Sequence, residues 1–115
     1  MSISFESISD MIGKDVYFLY NNSQNLDNSI IDTEFEKTVY KAINGNKARD
    51  EALVVLHTAK GKLTCGKKIA QYFREGYGSV DYYIPERCGE AGTLIALTGN
   101  HLSYERDSMI TPLIL

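Results

Sequence analysis

Two stretches of this 115-residue chain repeat the same order of strand, turn and helix signals. In the first, the apolar run 52–56 stops at a turn at 57–61 and is followed by apolar residues at helical spacing. In the second, the run 80–84 passes through Pro85 into an apolar helix pattern at 91–97. Short apolar runs that each precede a helix are typical of parallel strands joined by helical crossovers. The repeat therefore predicts an α/β fold with a mostly parallel sheet.

The rest of the chain fits this architecture. In the first part of the chain we predict a short amphipathic helix at 4–11 that stops at Gly13, a strand at 16–20 and a polar loop at 23–29. A helix capped by Asp32 or Thr33 then runs to about 43, with Gly45 beyond its end, and a strand at 52–56 follows. The remaining elements are a helix capped by Thr64 and ended by Gly76 and Gly78, a strand at 80–84, a helix at 91–97 and a strand at 101–104. Because 115 residues are near the common size of one domain, we expect a single domain with one modest core.

Charge and composition argue against several classes of protein. The net charge is -3, and the Lys and Arg residues form no long block, so the sequence offers no electrostatic support for nucleic acid binding. It contains no apolar run as long as a membrane span and no signal peptide, and we expect a cytoplasmic protein without membrane contact. Cys65 and Cys88 are expected to be free thiols, and the spacing of Cys and His predicts no metal site and no cofactor.

The two turns also resemble those of a known group of proteins. Residues 57–61 read His-Thr-Ala-Lys-Gly, and residues 90–97 read Glu-Ala-Gly-Thr-Leu-Ile-Ala-Leu. Over residues 16–112 the chain resembles the ClpP/crotonase superfamily, most closely its serine dehydrogenase proteinase (SDH) branch, which is related to signal peptide peptidase A. In that branch the turns read roughly His-Thr-Pro-Gly-Gly and Ser-Ala-Gly-Thr-Leu-Ile-Ala-Leu. The resemblance implies a ClpP/crotonase-like fold of repeated strand-turn-helix units, with residues 1–115 as a single truncated domain that corresponds to the N-terminal half of the family fold.

The resemblance places Glu90 at the position of the family's serine nucleophile. A carboxylate is favourable at a helix N-terminus, yet it is a poor peptidase nucleophile because its acyl product would be an anhydride. The first turn departs from the family as well, since Ala59 and Lys60 replace its proline and its first glycine. The resemblance further implies that Gly61 and the amide of Ala91 lie where an oxyanion hole forms.

Other residues of the two turns have a structural and a chemical interpretation. We interpret His57, Lys60 and Gly92 as structural residues of the turns. Cys88, with His57 as base, is a candidate replacement nucleophile, although its offset from Glu90 favours a core cysteine. Glu90 itself is either a first-turn helix acid or a general acid/base of the crotonase type, which would need a raised pKa.

These residues support two hypotheses about function. The leading one is a catalytically inactive SDH-proteinase-like domain that acts by protein association, as a regulatory or scaffold subunit. The family's second half carries the partner base, which we expect this chain to lack. The uncharged residues 109–115 are expected to dock on their own domain or on another subunit, so the expected partners are further copies of the chain or a full-length ClpP-like or SDH-like chain. The alternative is a residual hydrolase or crotonase-type acid/base enzyme that uses Glu90 with an oxyanion hole from Gly61 and Ala91, completed by a partner chain.

Overall fold

The computed structural model describes residue 9 and residues 11–20, 30–58 and 60–112. The elements of these residues are β1 (Asp15–Tyr20), β2 (Ile30–Ile31), α1 (Thr33–Asn46), β3 (Glu51–His57), β4 (Lys60–Gly61), α2 (Leu63–Gly76), β5 (Ser79–Ile84), β6 (Arg87–Cys88), α3 (Glu90–Leu97), β7 (His101–Tyr104) and β8 (Met109–Ile110). The strand predicted at 101–104 is found unchanged, and the strands predicted at 16–20, 52–56 and 80–84 are each found with one or two added residues.

The four longer strands form one parallel sheet in the order β1-β3-β5-β7. A helix lies between each strand and the next, with α1 before β3, α2 before β5 and α3 before β7. Two pairs of short strands, β2-β4 and β6-β8, are parallel as well. The predicted α/β fold with a mostly parallel sheet is therefore confirmed. The short pairs escaped prediction because a two-residue strand carries no readable periodicity.

The core lies between the sheet and the helices. Along β5, Val80, Tyr82 and Ile84 are buried and the residues between them are half-buried, because alternate side chains of a strand point to opposite faces. The buried cluster includes Tyr17, Leu19, Val39, Ile43, Val54, Leu56, Ile69, Phe73, Val80, Tyr82, Ile84 and Ile95. The continuous apolar run of β3 follows the same alternation, with Leu53 and Val55 half-buried on the face away from this cluster.

Helix α1 is longer than predicted at its C-terminal end. Asp32 is its N-cap, since one of its carboxylate oxygens accepts from the Phe35 amide at 2.9 Å. The prediction that Gly45 lies beyond the helix is wrong. The Asn46 side chain donates to the Ala42 carbonyl at 2.8 Å, and the backbone continues in helical form through Asn46 without any left-handed residue.

The start of α2 corrects another prediction. Thr64 is not its cap, because the helix begins at Leu63 with Lys62 at the N-cap position and no side-chain cap. The Lys62 amide donates to the Ile31 carbonyl at 2.9 Å, and the Gly66 amide donates to the Lys62 carbonyl at 3.0 Å. The pairing of β4 with β2 thus directs the chain into the helix before Thr64 is reached.

The segments at either side of β1 fall largely outside the described residues. The predicted helix at 4–11 is one of them, and the predicted polar loop at 23–29 is another. Gly13 does end the preceding turn: its φ of 70° is left-handed, and its amide donates to the Ser9 carbonyl at 2.8 Å.

Part of the uncharged tail packs on its own domain. The Met109 amide donates to the Glu86 carbonyl at 2.7 Å, and the Thr111 amide donates to the Cys88 carbonyl at 2.9 Å. These bonds form the β6-β8 pair and give backbone groups of both short strands a partner. Residues 113–115 lie outside the described part of the chain.

Candidate functional site

The candidate site lies where the repeated units reach the carboxyl ends of their strands. There β3 leads through Thr58 towards α2, and β5 leads through β6 into α3. Because β3 and β5 are parallel neighbours, their carboxyl ends lie side by side. Ligands of open α/β folds bind at the carboxyl ends of the strands.

Thr58 fastens the second turn to the first. Its backbone amide donates to the Arg87 carbonyl at 3.2 Å, and its carbonyl oxygen accepts from the Gly89 amide at 3.1 Å. The Thr58 hydroxyl oxygen also accepts from the Gly89 amide at 3.1 Å. Thr58 is fully buried. The residue that precedes α3 is therefore held by both the backbone and the side chain of Thr58.

Cys88 lies under the first turn of α3 and is buried. The hydroxyl oxygens of Thr58 and Thr93 approach its Sγ at 3.7 and 3.8 Å. Burial raises the pKa of the Cys88 thiol, and the two hydroxyls offset this rise only in part. A raised pKa leaves little thiolate, which is the nucleophilic form. The structure therefore favours the core-cysteine interpretation of Cys88.

Gly92 is a point of close packing. A Cβ built at this position would lie 2.3 Å from Thr58 Oγ1 and 2.4 Å from Cys88 Sγ. Its interpretation as a turn residue placed Gly92 in the loop before α3. In the structure Gly92 belongs to the first turn of that helix. Its role is structural in a different sense, since only a residue without a Cβ lets the helix approach Thr58 so closely.

Glu90 is the first residue of α3, directly after the N-cap Gly89. Glycine has no side chain to accept from the first helical amides, so the N-terminus of α3 keeps a partial positive charge. A carboxylate in the first turn stabilises such a terminus by about 0.3–1 kcal/mol. Glu90 is half-buried. Its position is the one that the interpretation as a first-turn helix acid requires.

Strand β4 brings Gly61 against the start of α3. A Cβ built at Gly61 would lie 3.1 Å from the Cβ of Ala91 and 2.5 Å from the Cβ of Ile31. The two residues assigned to an oxyanion hole are thus neighbours in space. The same contact gives Gly61 a packing role, because any larger residue would push β4 away from α3 or from β2.

His57 lies on the opposite face of the sheet from α3. It is the last residue of β3, and its ring stacks on that of Tyr20 with the centroids 4.7 Å apart. Its Nδ1 is 3.6 Å from a carboxylate oxygen of Glu86. Leu56, one residue earlier, points into the core beneath the helices. Strand alternation therefore separates His57 from Cys88, and the two do not form a nucleophile and base pair.

Lys60 contributes its backbone to β4, and its side chain lies outside the described residues. Within residues 11–20, 30–58 and 60–112, no three or more His, Cys, Asp and Glu side chains come together as metal ligands. Over the same residues, each helix is too short or too polar to cross a membrane.

Thr93, like Thr58, is a residue of this site that the sequence did not single out. Its hydroxyl oxygen lies 2.7 Å from the Thr111 carbonyl oxygen and 3.1 Å from the Gly89 carbonyl oxygen. It thereby links α3 to the residue that follows β8. The only available signal was a lone hydroxyl residue in the otherwise apolar stretch 91–97.

Comparison with known proteins addresses the fold. No family model matches this sequence, and no curated protein matches it. Among solved structures, the chain is similar to the crystal structure of the ClpP protease catalytic domain from Plasmodium falciparum, with a TM-score of 0.59 and 9% sequence identity. The fold is ClpP-like. The match covers 92% of this chain and 62% of that chain, so this chain spans less than two thirds of the ClpP domain's length.

A likeness at 9% identity concerns the ClpP-like fold alone. It agrees with the architecture inferred from the two turns, in which a parallel strand, a turn and a helix recur. The narrower assignment to the SDH branch, and the roles given to Glu90, Gly61 and Ala91, stay predictions.

Proposed function

We propose that this chain is a catalytically inactive, ClpP-like domain of the SDH proteinase type that acts by protein association, as a regulatory or scaffold subunit. The observation that carries the proposal is the carboxylate of Glu90 at the first position of α3. The SDH pattern has a serine there. A carboxylate cannot form the ester intermediate of a serine peptidase, and its own attack on a peptide would give an unstable anhydride.

The surroundings of Glu90 support the same conclusion. Cys88 is a buried thiol with a raised pKa. Both threonine hydroxyls are engaged inside the fold. The Thr58 hydroxyl lies near this sulfur and accepts from the Gly89 amide, and the Thr93 hydroxyl lies near the sulfur and the Gly89 carbonyl oxygen. His57, a candidate base, lies on the other face of the sheet against Tyr20. Among the described residues, the hydrogen-bond partners of the Cys88, Thr58 and Thr93 side chains are each other and backbone groups, and include no side-chain base of the kind that activation requires.

Association is supported by the surface of the described residues. Several large apolar side chains are exposed, among them Tyr104 at the end of β7, Met109 in β8 and Tyr40 on α1. Tyrosine and methionine are enriched at surfaces that bind other proteins.

The test combines two measurements on the purified chain. A fluorophosphonate probe reports any activated serine, and light scattering reports the mass in solution. We expect no labelling, and particles heavier than one chain. Labelling of the wild-type protein would overturn the claim of inactivity.

A Glu90→Ser variant sharpens this test. If the base is absent as proposed, the variant stays unlabelled and hydrolyses no peptide. If the variant gains peptidase activity, a base is present and the inactivity of the wild type rests on Glu90 alone. A Glu90→Gln variant is the matched control, because it removes the charge without adding a nucleophile.

A further inference from the structure

We infer that the chain assembles head to tail: a groove between α1 and α2 of one copy receives the turn between β7 and β8 of a second copy. The inference rests on the proposed function, association, and names the two surfaces that carry it.

The first surface, called here the helix groove, is centred on two aromatic rings. Tyr40 of α1 meets Tyr72 of α2 edge to face, with the ring centroids 5.0 Å apart. The Tyr72 hydroxyl donates to a carboxylate oxygen of Glu36 at 3.2 Å, which holds the ring in place. Tyr40 is nevertheless 50% exposed. A depression of about 200 Å³ lies beside the two rings. The groove is thus a preformed, partly apolar binding surface.

Basic side chains lie around the helix groove. Lys37 lies one turn before Tyr40, and Lys41 lies beside it on the exposed side of α1. Lys68 lies one turn before Tyr72 on α2 and is also exposed. The three lysines outnumber the two acids next to the rings, which are the exposed Glu75 beside the depression and the buried Glu36 that accepts from Tyr72. The helix groove therefore favours an apolar partner with a negatively charged border.

The second surface, called here the β7–β8 turn, comprises residues 104–109. Tyr104 and Met109 flank it and are 62% and 74% exposed. The turn is firmly held, since the Ser108 amide donates to the Glu105 carbonyl at 3.1 Å and the Ser108 hydroxyl donates to the Ile84 carbonyl at 2.7 Å. Two large apolar side chains on a rigid support are suited to fill a shallow depression at little entropic cost.

The border of this turn is more acidic than basic. Glu105 and Asp107 are exposed within it, and the exposed Glu86 lies beside it, where its carbonyl accepts from the Met109 amide at 2.7 Å. Arg87 and Arg106 reduce the excess of negative charge without cancelling it. Aromatic and apolar centres of opposite border charge thus occur on one chain.

The positions of the two surfaces determine the type of assembly. The turn follows β7, an edge strand of the sheet, and α1 leads into β3, next to the other edge strand, β1. A contact between two different surfaces of the same chain is heterologous and builds a ring or a filament. Copies of this chain therefore complement one another in a directional way.

Complementation between two variants tests the proposal. The groove variant carries Tyr40→Ala and Lys41→Ala, and the turn variant carries Tyr104→Ala and Met109→Ala. All four side chains are exposed, so we expect both variants to fold, which circular dichroism checks. Leu97→Ala is the control, because Leu97 is 61% exposed at the end of α3 and belongs to neither surface.

We expect the wild type and Leu97→Ala to form the same oligomers by sedimentation velocity. Each double variant alone is monomeric, or associates at least about tenfold more weakly, since the residues whose truncation weakens an interface most are enriched in tyrosine. An equimolar mixture gives a heterodimer and nothing larger, because one working groove meets one working turn. Raising the salt concentration weakens the wild-type assembly.

Three results would overturn the proposal, and each has a different consequence for self-association and for the two named surfaces. If both variants assemble like the wild type, association persists and only these two surfaces are wrong. If each variant alone stops at a dimer, the contact is two-fold symmetric and not head to tail. If the wild type is monomeric at about 100 μM, where micromolar association would be nearly complete, self-association fails together with this inference.

Discussion

The Tyr77 hydroxyl donates a hydrogen bond of 2.7 Å to Oδ2 of Asp15. Tyr77 follows α2 and Asp15 begins β1, so the bond joins segments far apart in the sequence. The same carboxylate oxygen accepts from the amides of Ala48 at 2.8 Å and Arg49 at 3.2 Å, in the loop before β3. A single buried carboxylate therefore joins three segments near the amino ends of the strands, whereas the candidate site lies at their carboxyl ends.

This carboxylate makes stability depend on pH. Burial raises the pKa of Asp15, but hydrogen bonds from Ala48, Tyr77 and Arg49 outweigh burial and lower it below its ordinary value. A carboxyl group with a depressed pKa stabilises the fold above its unfolded pKa of about 3.9 and ceases to do so as pH falls through the folded value. We expect Asp15→Asn to lower the free energy of unfolding at pH 7 by about 1–3 kcal/mol.

Urea unfolding at several pH values measures this effect. The difference between wild type and Asp15→Asn should shrink as pH falls below about 4, because the wild-type carboxylate is then protonated. Asp107→Asn, in an exposed turn, is the control and should change the free energy of unfolding little. A difference for Asp15→Asn that is the same at pH 7 and pH 3 would contradict the assignment.

Two glycines in helices are expected to respond to alanine in opposite directions. At Gly92 the new Cβ would meet Thr58 Oγ1 and Cys88 Sγ, and we expect a loss of about 1–3 kcal/mol, as for other overpacked cores. At Gly45 nothing lies within 4 Å of the new Cβ, so we expect a gain of about 0.5–1 kcal/mol from the better helix former. Thermal unfolding compares the two, and a neutral Gly92→Ala would show that α3 can move away from Thr58.

The cap of α1 gives a third prediction. Asp32→Ala should cost about 1 kcal/mol of unfolding free energy, because the Phe35 amide loses its acceptor. Thr33→Ala should be nearly neutral, since Thr33 is an exposed residue in the first turn of the helix. Chemical denaturation of both variants distinguishes these positions, which the sequence left as alternatives. Equal losses at both would argue that each contributes to the cap.

The Cys88 thiol gives a fourth prediction. In a Cys65→Ala background, where Cys88 is the sole thiol, alkylation by iodoacetamide at pH 8 should be at least about tenfold slower in the native protein than in denaturant. Burial and the raised pKa both act in this direction. Mass spectrometry follows the reaction. A native rate equal to that of a free thiol would mean that Cys88 is accessible and ionised, which would reopen its role as a nucleophile.

Local patterns were enough to predict the class of this fold. The run 52–56 and the run 80–84 each precede helical spacing, and parallel strands with helical crossovers are the arrangement that buries such a repeat. The two turns also pointed to the ClpP-like architecture. Helix ends were predicted less well, as Gly45 and Thr64 show, because capping by Asn46 and the pairing of β4 with β2 override local propensity.

The sequence by itself therefore determined the order of the four longer strands and the helices between them, and put a carboxylate, Glu90, at the start of a buried helix. Only the tertiary structure decided that Thr58, Cys88 and Gly92 pack against one another, that Gly61 meets Ala91, and that His57 faces away from them. The physical reason is that hydrophobic periodicity reports which face of an element is buried. Hydrophobic periodicity does not say which residue of another element packs against that face, and here the residue in contact is about thirty positions away in the sequence.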